Sequence, residues 1–127
     1  MGMKFLIVDD SANIRAFIRK VLSMTGLEID SVREAGDGEE GLLRLSEEPA
    51  DVVLSDINMP RMDGLEMIRR IKARSEFAGV RIVVVSTEGS RDKILEAVKC
   101  GAAGYLKKPF GPEQVVNLLT ETMKHGC

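Results

Sequence analysis

Short apolar runs alternate with longer amphipathic segments along the whole chain. The three clearest runs, Phe5–Val8, Val52–Leu54 and Ile82–Val85, show no alternation with polar residues, which is typical of strands buried on both faces of a sheet. Two weaker strands are predicted within residues 28–35 and at Tyr105–Leu106. The pattern therefore indicates five strands, each followed by a segment with helical periodicity.

Helix start signals stand between the strands and the amphipathic segments. Ser11 and Ser90 are placed to cap the first and fourth helices. Asp37 and Asp63 are each followed three residues later by a glutamate, as in a capping box. Pro112 stands where a first helical residue tolerates proline. Helices are thus predicted after all five strands.

This alternation of strands and helices favours one fold class. Successive strand–helix units build a parallel sheet with helices on both faces. No linker, repeat or low-complexity tract interrupts the 127 residues. We expect a single doubly wound α/β domain over residues 1–127, without an attached output domain.

Composition and charge exclude several classes of protein. Hydrophobic residues at 44% and charged residues at 30% argue against disorder. With a formal net charge of −2, there is no electrostatic case for binding nucleic acid or an anionic membrane. No apolar run approaches the roughly 20 residues of a membrane span. Cys100 and Cys127 have no metal-binding spacing, so a reducing, cytoplasmic location is expected.

Polar residues follow the predicted strands where each one ends. Asp9 and Asp10 follow the first strand, Asp56 the third, Ser86 the fourth and Lys108 the fifth. Because the carboxyl ends of parallel strands share one edge of a sheet, these side chains should gather there, although turns alone also favour Asp. Clustered carboxylates repel one another, and Mg²⁺ relieves that repulsion. A carboxylate beside such a metal can attack a phosphoryl group and form an acyl phosphate.

Four motifs in this order and spacing resemble the receiver domains of two-component signalling, most closely the chemotaxis response regulators that stand alone. They are FLIVDD from Phe5, SDINMPRMDG from Ser55, VVVST from Val83 and GYLKKPF from Gly104. The resemblance covers essentially the whole chain. It implies a flavodoxin-like sheet with strand order 2-1-3-4-5, an order that the periodicity does not provide.

The resemblance also implies a role for each acidic residue that follows a predicted strand. Asp56 matches the phosphoacceptor, and Asp9 and Asp10 match the acidic pair that organises Mg²⁺, for which Mn²⁺ is a substitute. The backbone carbonyl of Asn58 matches a further metal ligand. Asn58 and Glu88 also occupy the two positions that tune the lifetime of the phosphoryl group, and their polar character predicts a short lifetime.

Further roles implied by the resemblance fall on the fourth and fifth strands. Ser86 matches the hydroxyl that moves toward the phosphoryl group, and Tyr105 matches the aromatic side chain that turns inward with it. Lys108 matches the lysine that contacts the phosphate, and its peptide bond to Pro109 is expected to be cis. Without the motif, Tyr105 would be interpreted as a half-buried packing aromatic.

The function implied is a phosphorylation switch. A sensor histidine kinase would donate a phosphoryl group to Asp56, and the face formed by the fourth helix, fifth strand and fifth helix would change its affinity for a partner such as a flagellar motor switch protein. We expect a monomer that is not an enzyme and that promotes only its own phosphorylation and dephosphorylation. A phosphatase that removes the phosphoryl group is a possible further partner.

Particular residues bear on three other functions. Lys107 and Thr87 depart from the chemotaxis pattern, so a phosphorelay shuttle that passes phosphate to a histidine-phosphotransfer domain is the main alternative. An aspartyl phosphohydrolase would need a second Asp where Asn58 stands, and a flavin carrier would not place Asp9 and Asp10 at its phosphate loop. Local interpretations also remain for single residues: a helix cap for Asp63, a solvated turn residue for Asp10 and a solvated neighbour for Lys107.

Overall fold

The structure is a computed structural model that describes residues 2–57, 59, 61–86 and 91–125. The described strands form one parallel sheet in the order β2-β1-β3-β4-β5. The strands are β1 (Met3–Val8), β2 (Ile29–Ala35), β3 (Val52–Ser55), β4 (Arg81–Ser86) and β5 (Gly104–Lys107). The helices are α1 (Ala12–Ser23), α2 (Gly38–Glu47), α3 (Gly64–Lys72), α4 (Arg91–Cys100) and α5 (Pro112–His125). The expected doubly wound α/β fold and its strand order are confirmed.

Helices cover both faces of the sheet, and the core is divided accordingly. Successive residues of a strand point to opposite faces. In β1, Leu6 and Val8 therefore pack with apolar residues of α2, α3 and α4, whereas Phe5 and Ile7 pack with those of α1 and α5. All four side chains are fully buried. The uninterrupted apolar run of β1 is explained by this burial on both sides.

Three of the predicted helix caps are present. The Ser11 hydroxyl accepts a hydrogen bond from the Ile14 amide at 3.3 Å. The carboxylates of Asp37 and Asp63 accept bonds from amides in the first turns of α2 and α3, each at 2.9 Å. The local interpretation of Asp63 as a cap is therefore confirmed, while Ser90 lies outside the described residues.

The weak strand predicted within residues 28–35 is confirmed, and one short element was not predicted. β2 is a seven-residue strand although only Ile29, Val32 and Ala35 are apolar, because it is an edge strand that pairs only with β1 and stays partly exposed. A short 3₁₀ helix at Ser75–Phe77 was not predicted, and it buries Phe77. Among the helices that the structure describes, none is long and apolar enough to cross a membrane.

Candidate functional site

The carboxyl ends of β1 and β3 bring two aspartates to one edge of the sheet. The amide of Asp9 donates to the Ala35 carbonyl of β2, and the amide of Asp56 donates to the Val8 carbonyl of β1, each at 3.0 Å. The ladder hydrogen bonds thus continue one residue beyond each strand. This continuation fixes the backbone from which both side chains project.

Asp9, Asp10 and Asp56 form a carboxylate cluster. Each contributes one oxygen, and these oxygens lie within 4.8 Å of one another. Asp9 is buried, Asp56 is half-buried and Asp10 is exposed, so the cluster is anchored in the protein and open to solvent on one side. A donor set made only of carboxylate oxygens suits a hard divalent cation such as Mg²⁺. These residues therefore fit the metal that the sequence predicted.

Lys108 supplies a positive charge to this cluster. Its Nζ lies 3.1 Å from Oδ2 of Asp9, and the two side chains are only 8% and 2% exposed. The Lys108 amide donates to the Ser86 carbonyl at 2.8 Å, which joins the ends of β4 and β5. The peptide bond between Lys108 and Pro109 is cis, as expected. One ammonium group faces three carboxylates, so the repulsion among them is only partly relieved.

The electrostatics of Asp56 reflect this imbalance. Burial raises the pKa of the Asp56 carboxyl, and the charges of Asp9 and Asp10 raise it further. The Lys108 ammonium and the Ile57 amide, which donates to Oδ1 of Asp56 at 2.7 Å, act in the opposite direction and do not fully offset it. A bound divalent cation would favour the ionised carboxylate, which is the form that can act as a nucleophile.

Ser86 and Tyr105 lie on the neighbouring strands β4 and β5. Ser86 is the last residue of β4, is buried, and stands opposite Lys107 in the register. Tyr105 stands opposite Val84 and is half-buried against the core cluster that contains α2, α3 and α4. Lys107 is exposed, which agrees with a solvated neighbour of the site.

The other residues predicted for the site lie outside the part of the chain that the structure describes. Asn58 and Glu88, named for the metal carbonyl and for phosphoryl lifetime, lie outside the described residues, as does Thr87. Their roles stay predictions.

The sequence prediction missed two arginines, of which Arg15 contacts the site and Arg61 binds the cap of α2. Arg15 donates from its Nη1 to the Asp9 carbonyl, and Arg61 pairs with Asp37. Arg15 lies four residues after the helix cap Ser11, about one turn into α1 and on the side of the cap. That spacing could have suggested proximity, but the partner of each arginine belongs to another element, so only the tertiary structure reveals it.

The chain is similar to one protein family and to individual chemotaxis proteins. Residues 5–120 match the family described as the response regulator receiver domain. The chain is 35% identical over 125 residues to the chemotaxis protein CheY homolog of Campylobacter jejuni, covering 98% of this chain and 95% of that protein. It is 37% identical over 112 residues to the chemotaxis protein CheY1 of Helicobacter pylori, covering 87% and 89%.

Solved structures give the same result. The chemotaxis response regulator CheY4 of Vibrio cholerae superimposes with a TM-score of 0.82 at 36% identity, covering 95% of this chain and 98% of that one. A chain of the CheX-CheY-BeF₃-Mg²⁺ complex from Borrelia burgdorferi superimposes with a TM-score of 0.82 at 25% identity, covering 95% and 89%.

Proposed function

Because this chain belongs to the response regulator receiver domain family, we propose that it is a phosphorylation-dependent signalling switch whose phosphoacceptor is Asp56. The observation that carries the proposal is the juxtaposition of three carboxylates within 4.8 Å and the Lys108 ammonium at the edge of the sheet. The proposed donor is the phosphohistidine of a sensor histidine kinase.

In the proposed phosphoryl transfer, one bond to phosphorus forms while another breaks. An oxygen of the Asp56 carboxylate forms a bond to phosphorus while the phosphorus–nitrogen bond of the phosphohistidine breaks. The imidazole leaves with that electron pair and takes up a proton, and Asp56 becomes an acyl phosphate. The positive charge of Lys108, 3.1 Å from Asp9, is available to a phosphoryl oxygen at the same edge.

Asp9, Asp10 and Asp56 are the residues proposed to hold Mg²⁺, with the backbone carbonyl of Asn58 as a further ligand. The metal, when bound, supplies charge neutralisation to the carboxylates and to the phosphoryl oxygens. The buried Asp9 anchors this ligand set in the protein, while the exposed Asp10 leaves the set accessible to a phosphoryl donor.

The switch itself is proposed to act through Ser86 and Tyr105. Phosphorylation would favour one of two arrangements of these residues, which is a shift between existing populations. A groove of about 680 Å³ lies beside Tyr105 and is lined by residues of β5 and α5, among them Lys107 and Leu118. We place the phosphorylation-sensitive partner surface on this side of the protein, together with α4.

Acetyl phosphate with Mg²⁺ tests the phosphoacceptor directly. Intact-protein mass spectrometry should find one phosphoryl adduct, cleaved by hydroxylamine as an acyl phosphate is, on the wild type and none on Asp56→Asn. Asp51→Asn is the matched control. Asp51 directly precedes β3, at the end of the strand opposite to Asp56, and its carboxylate accepts a hydrogen bond from the Lys4 amide. No adduct on the wild type, or equal labelling of Asp56→Asn, would contradict the proposal.

The output partner needs a separate test. The names of the Campylobacter and Helicobacter relatives favour a chemotaxis output, so we propose a flagellar motor switch protein as the target. The beryllofluoride-treated chain should be retained by a motor-switch peptide and not by a histidine-phosphotransfer domain. Retention by the phosphotransfer domain alone would contradict the motor-switch target and would support a phosphorelay shuttle instead. In either case the protein is proposed to act as a signalling receiver and not as an enzyme, so small phosphate esters should not be turned over.

A further inference from the structure

We infer that Arg15 is a positioning residue, which holds Asp9 and Asp10 in the geometry that binds a divalent cation. The inference deepens the proposed function and rests on it, because it assumes that these aspartates take Mg²⁺. It concerns a residue of α1 that contributes no ligand atom itself.

The Arg15 side chain connects three elements at the base of the carboxylate cluster. Its Nη1 donates to the backbone carbonyl of Asp9, directly after β1. Its Nε donates to Oε1 of Glu34 in β2 at 2.9 Å. Because the guanidinium group is planar and rigid, these two bonds fix its position with respect to both strands.

The bond to Asp9 restrains the peptide on which the cluster depends. The Asp9 amide is already held by the Ala35 carbonyl at 3.0 Å, and Oδ1 of Asp9 accepts from the Ser11 amide at 2.9 Å. The Asp9 carbonyl belongs to the peptide that leads into Asp10, and Arg15 binds this carbonyl. Arg15 therefore sets the orientation of the backbone from which the exposed Asp10 carboxylate projects.

Glu34 in turn holds the guanidinium group. Its second oxygen accepts from Nε of Arg19 at 2.9 Å, and Arg19 also donates to the Val32 carbonyl. Burial alone would raise the pKa of the Glu34 carboxyl, but the two arginines outweigh it and lower that pKa, so the carboxylate stays charged. Arg15 is 20% exposed and Arg19 is 48% exposed, so Arg15 is the more buried of the two.

Charge and geometry make opposite predictions for the loss of Arg15. A positive charge near three carboxylates competes with a metal cation, so on charge alone its removal should tighten Mg²⁺ binding. If Arg15 instead holds Asp9 and Asp10 in place, its removal should weaken binding. Residues that orient metal ligands typically change metal affinity by about 10- to 100-fold when they are mutated. The sign of the change therefore distinguishes the two roles.

Arg19 provides a matched control. Both arginines lie in α1 and both donate Nε to Glu34, but of the two only Arg15 is bonded to the Asp9 carbonyl. The experiment measures the Mg²⁺ dissociation constant by calorimetry for the full-length wild type, Arg15→Ala, Arg15→Lys and Arg19→Ala. Urea unfolding of each variant shows whether it is folded. If Arg15→Ala does not fold, Glu34→Gln, which loosens the same guanidinium group, takes its place.

We expect Arg15→Ala to weaken Mg²⁺ binding about 10-fold, Arg15→Lys to recover part of the loss, and Arg19→Ala to stay within about twofold of the wild type. Equal or tighter binding by Arg15→Ala overturns the inference, as does an equal loss in Arg19→Ala. If the wild type itself does not bind Mg²⁺, the proposed function fails first, so the two failures are distinguishable.

Discussion

The guanidinium group of Arg61 is paired with the carboxylate of Asp37, which joins the loop after β3 to the N-terminus of α2. Its Nη2 and Nε lie 2.7 Å and 2.8 Å from the same oxygen, Oδ2. The Asp37 side chain is 5% exposed, whereas that of Arg61 is 69% exposed. The Gly38 amide also donates to the Met62 carbonyl at 3.1 Å. Arg61 and Met62 are thus tied to the N-terminus of α2 by an ion pair and a backbone hydrogen bond.

Arg61→Ala should destabilise the protein, because it leaves the buried Asp37 carboxylate with the Glu40 amide but without a charged donor. Arg61 has a φ of 64°, in the left-handed region that favours glycine. Arg61→Gly loses the same ion pair but relieves roughly 1 kcal/mol of backbone strain, so it should cost less. Urea unfolding of both variants gives the comparison. If Arg61→Ala is as stable as the wild type, the ion pair contributes nothing to the fold.

Acid should remove the contribution of Asp37. The Glu40 amide lowers the pKa of the Asp37 carboxyl below its ordinary value of 3.8, and Arg61 lowers it further. Because the folded-state pKa is the lower one, the stabilisation is present above about pH 4 and is lost as the pH falls through the folded-state value.

The free energy of unfolding is compared between the wild type and Asp37→Asn from pH 7 to pH 3. The difference between the two proteins should be constant near neutrality and should become smaller as the pH falls toward 3. Asn remains a competent helix cap, so the comparison isolates the charge. Arg61→Ala should show a smaller acid loss than the wild type. A difference that stays constant down to pH 3 would contradict this assignment.

The sequence predicted the parts of the site that depend on strand ends alone. Asp9 and Asp56 each follow a buried apolar run, and parallel strands bring such positions to one edge, so their proximity followed from the fold class. The strand order did not follow from periodicity, because nothing in the weak pattern of β2 places it outside β1. The pairs Arg15–Glu34 and Arg61–Asp37 could not be predicted, since each joins residues about twenty positions apart in different elements.

Asp56→Asn should be more stable than the wild type at neutral pH in the absence of divalent cations. The pKa of Asp56 is raised by burial and by Asp9 and Asp10. A folded-state pKa above the unfolded value means that stability falls as the pH rises between the two. Removing this charge should therefore stabilise the fold, chiefly because a neutral amide does not carry the cost of burying a charge.

Mg²⁺ should reverse that order. A ligand that binds only the folded state stabilises it by about 2.7 kcal/mol at 100 times its dissociation constant, and the wild type keeps all three carboxylates. Thermal unfolding with and without Mg²⁺ measures both effects. Asp51→Asn should follow the wild type in both conditions, because it lies outside the cluster. Equal Mg²⁺ stabilisation of the wild type and Asp56→Asn would place the cation elsewhere.

Gly64 is required by the close approach of α3 to the backbone of Asp56. A Cβ atom at Gly64 would lie 2.2 Å from the Asp56 carbonyl oxygen and 3.0 Å from the Ile57 Cα. The Gly64 amide donates to the Ile57 carbonyl at 2.7 Å, so the helix cannot move away without losing that bond. Gly64→Ala should therefore destabilise the fold by about 1–3 kcal/mol, as overpacking does.

The same substitution should also weaken Mg²⁺ binding, because the atom that must yield belongs to the backbone of Asp56. Gly79→Ala is the matched control, since a Cβ there meets nothing within 4 Å. It should stay within about 0.5 kcal/mol of the wild type and leave the Mg²⁺ dissociation constant unchanged. Urea unfolding and calorimetry on both variants separate the two effects. A Gly64→Ala protein that loses stability but binds Mg²⁺ like the wild type would show that α3 can shift without moving Asp56.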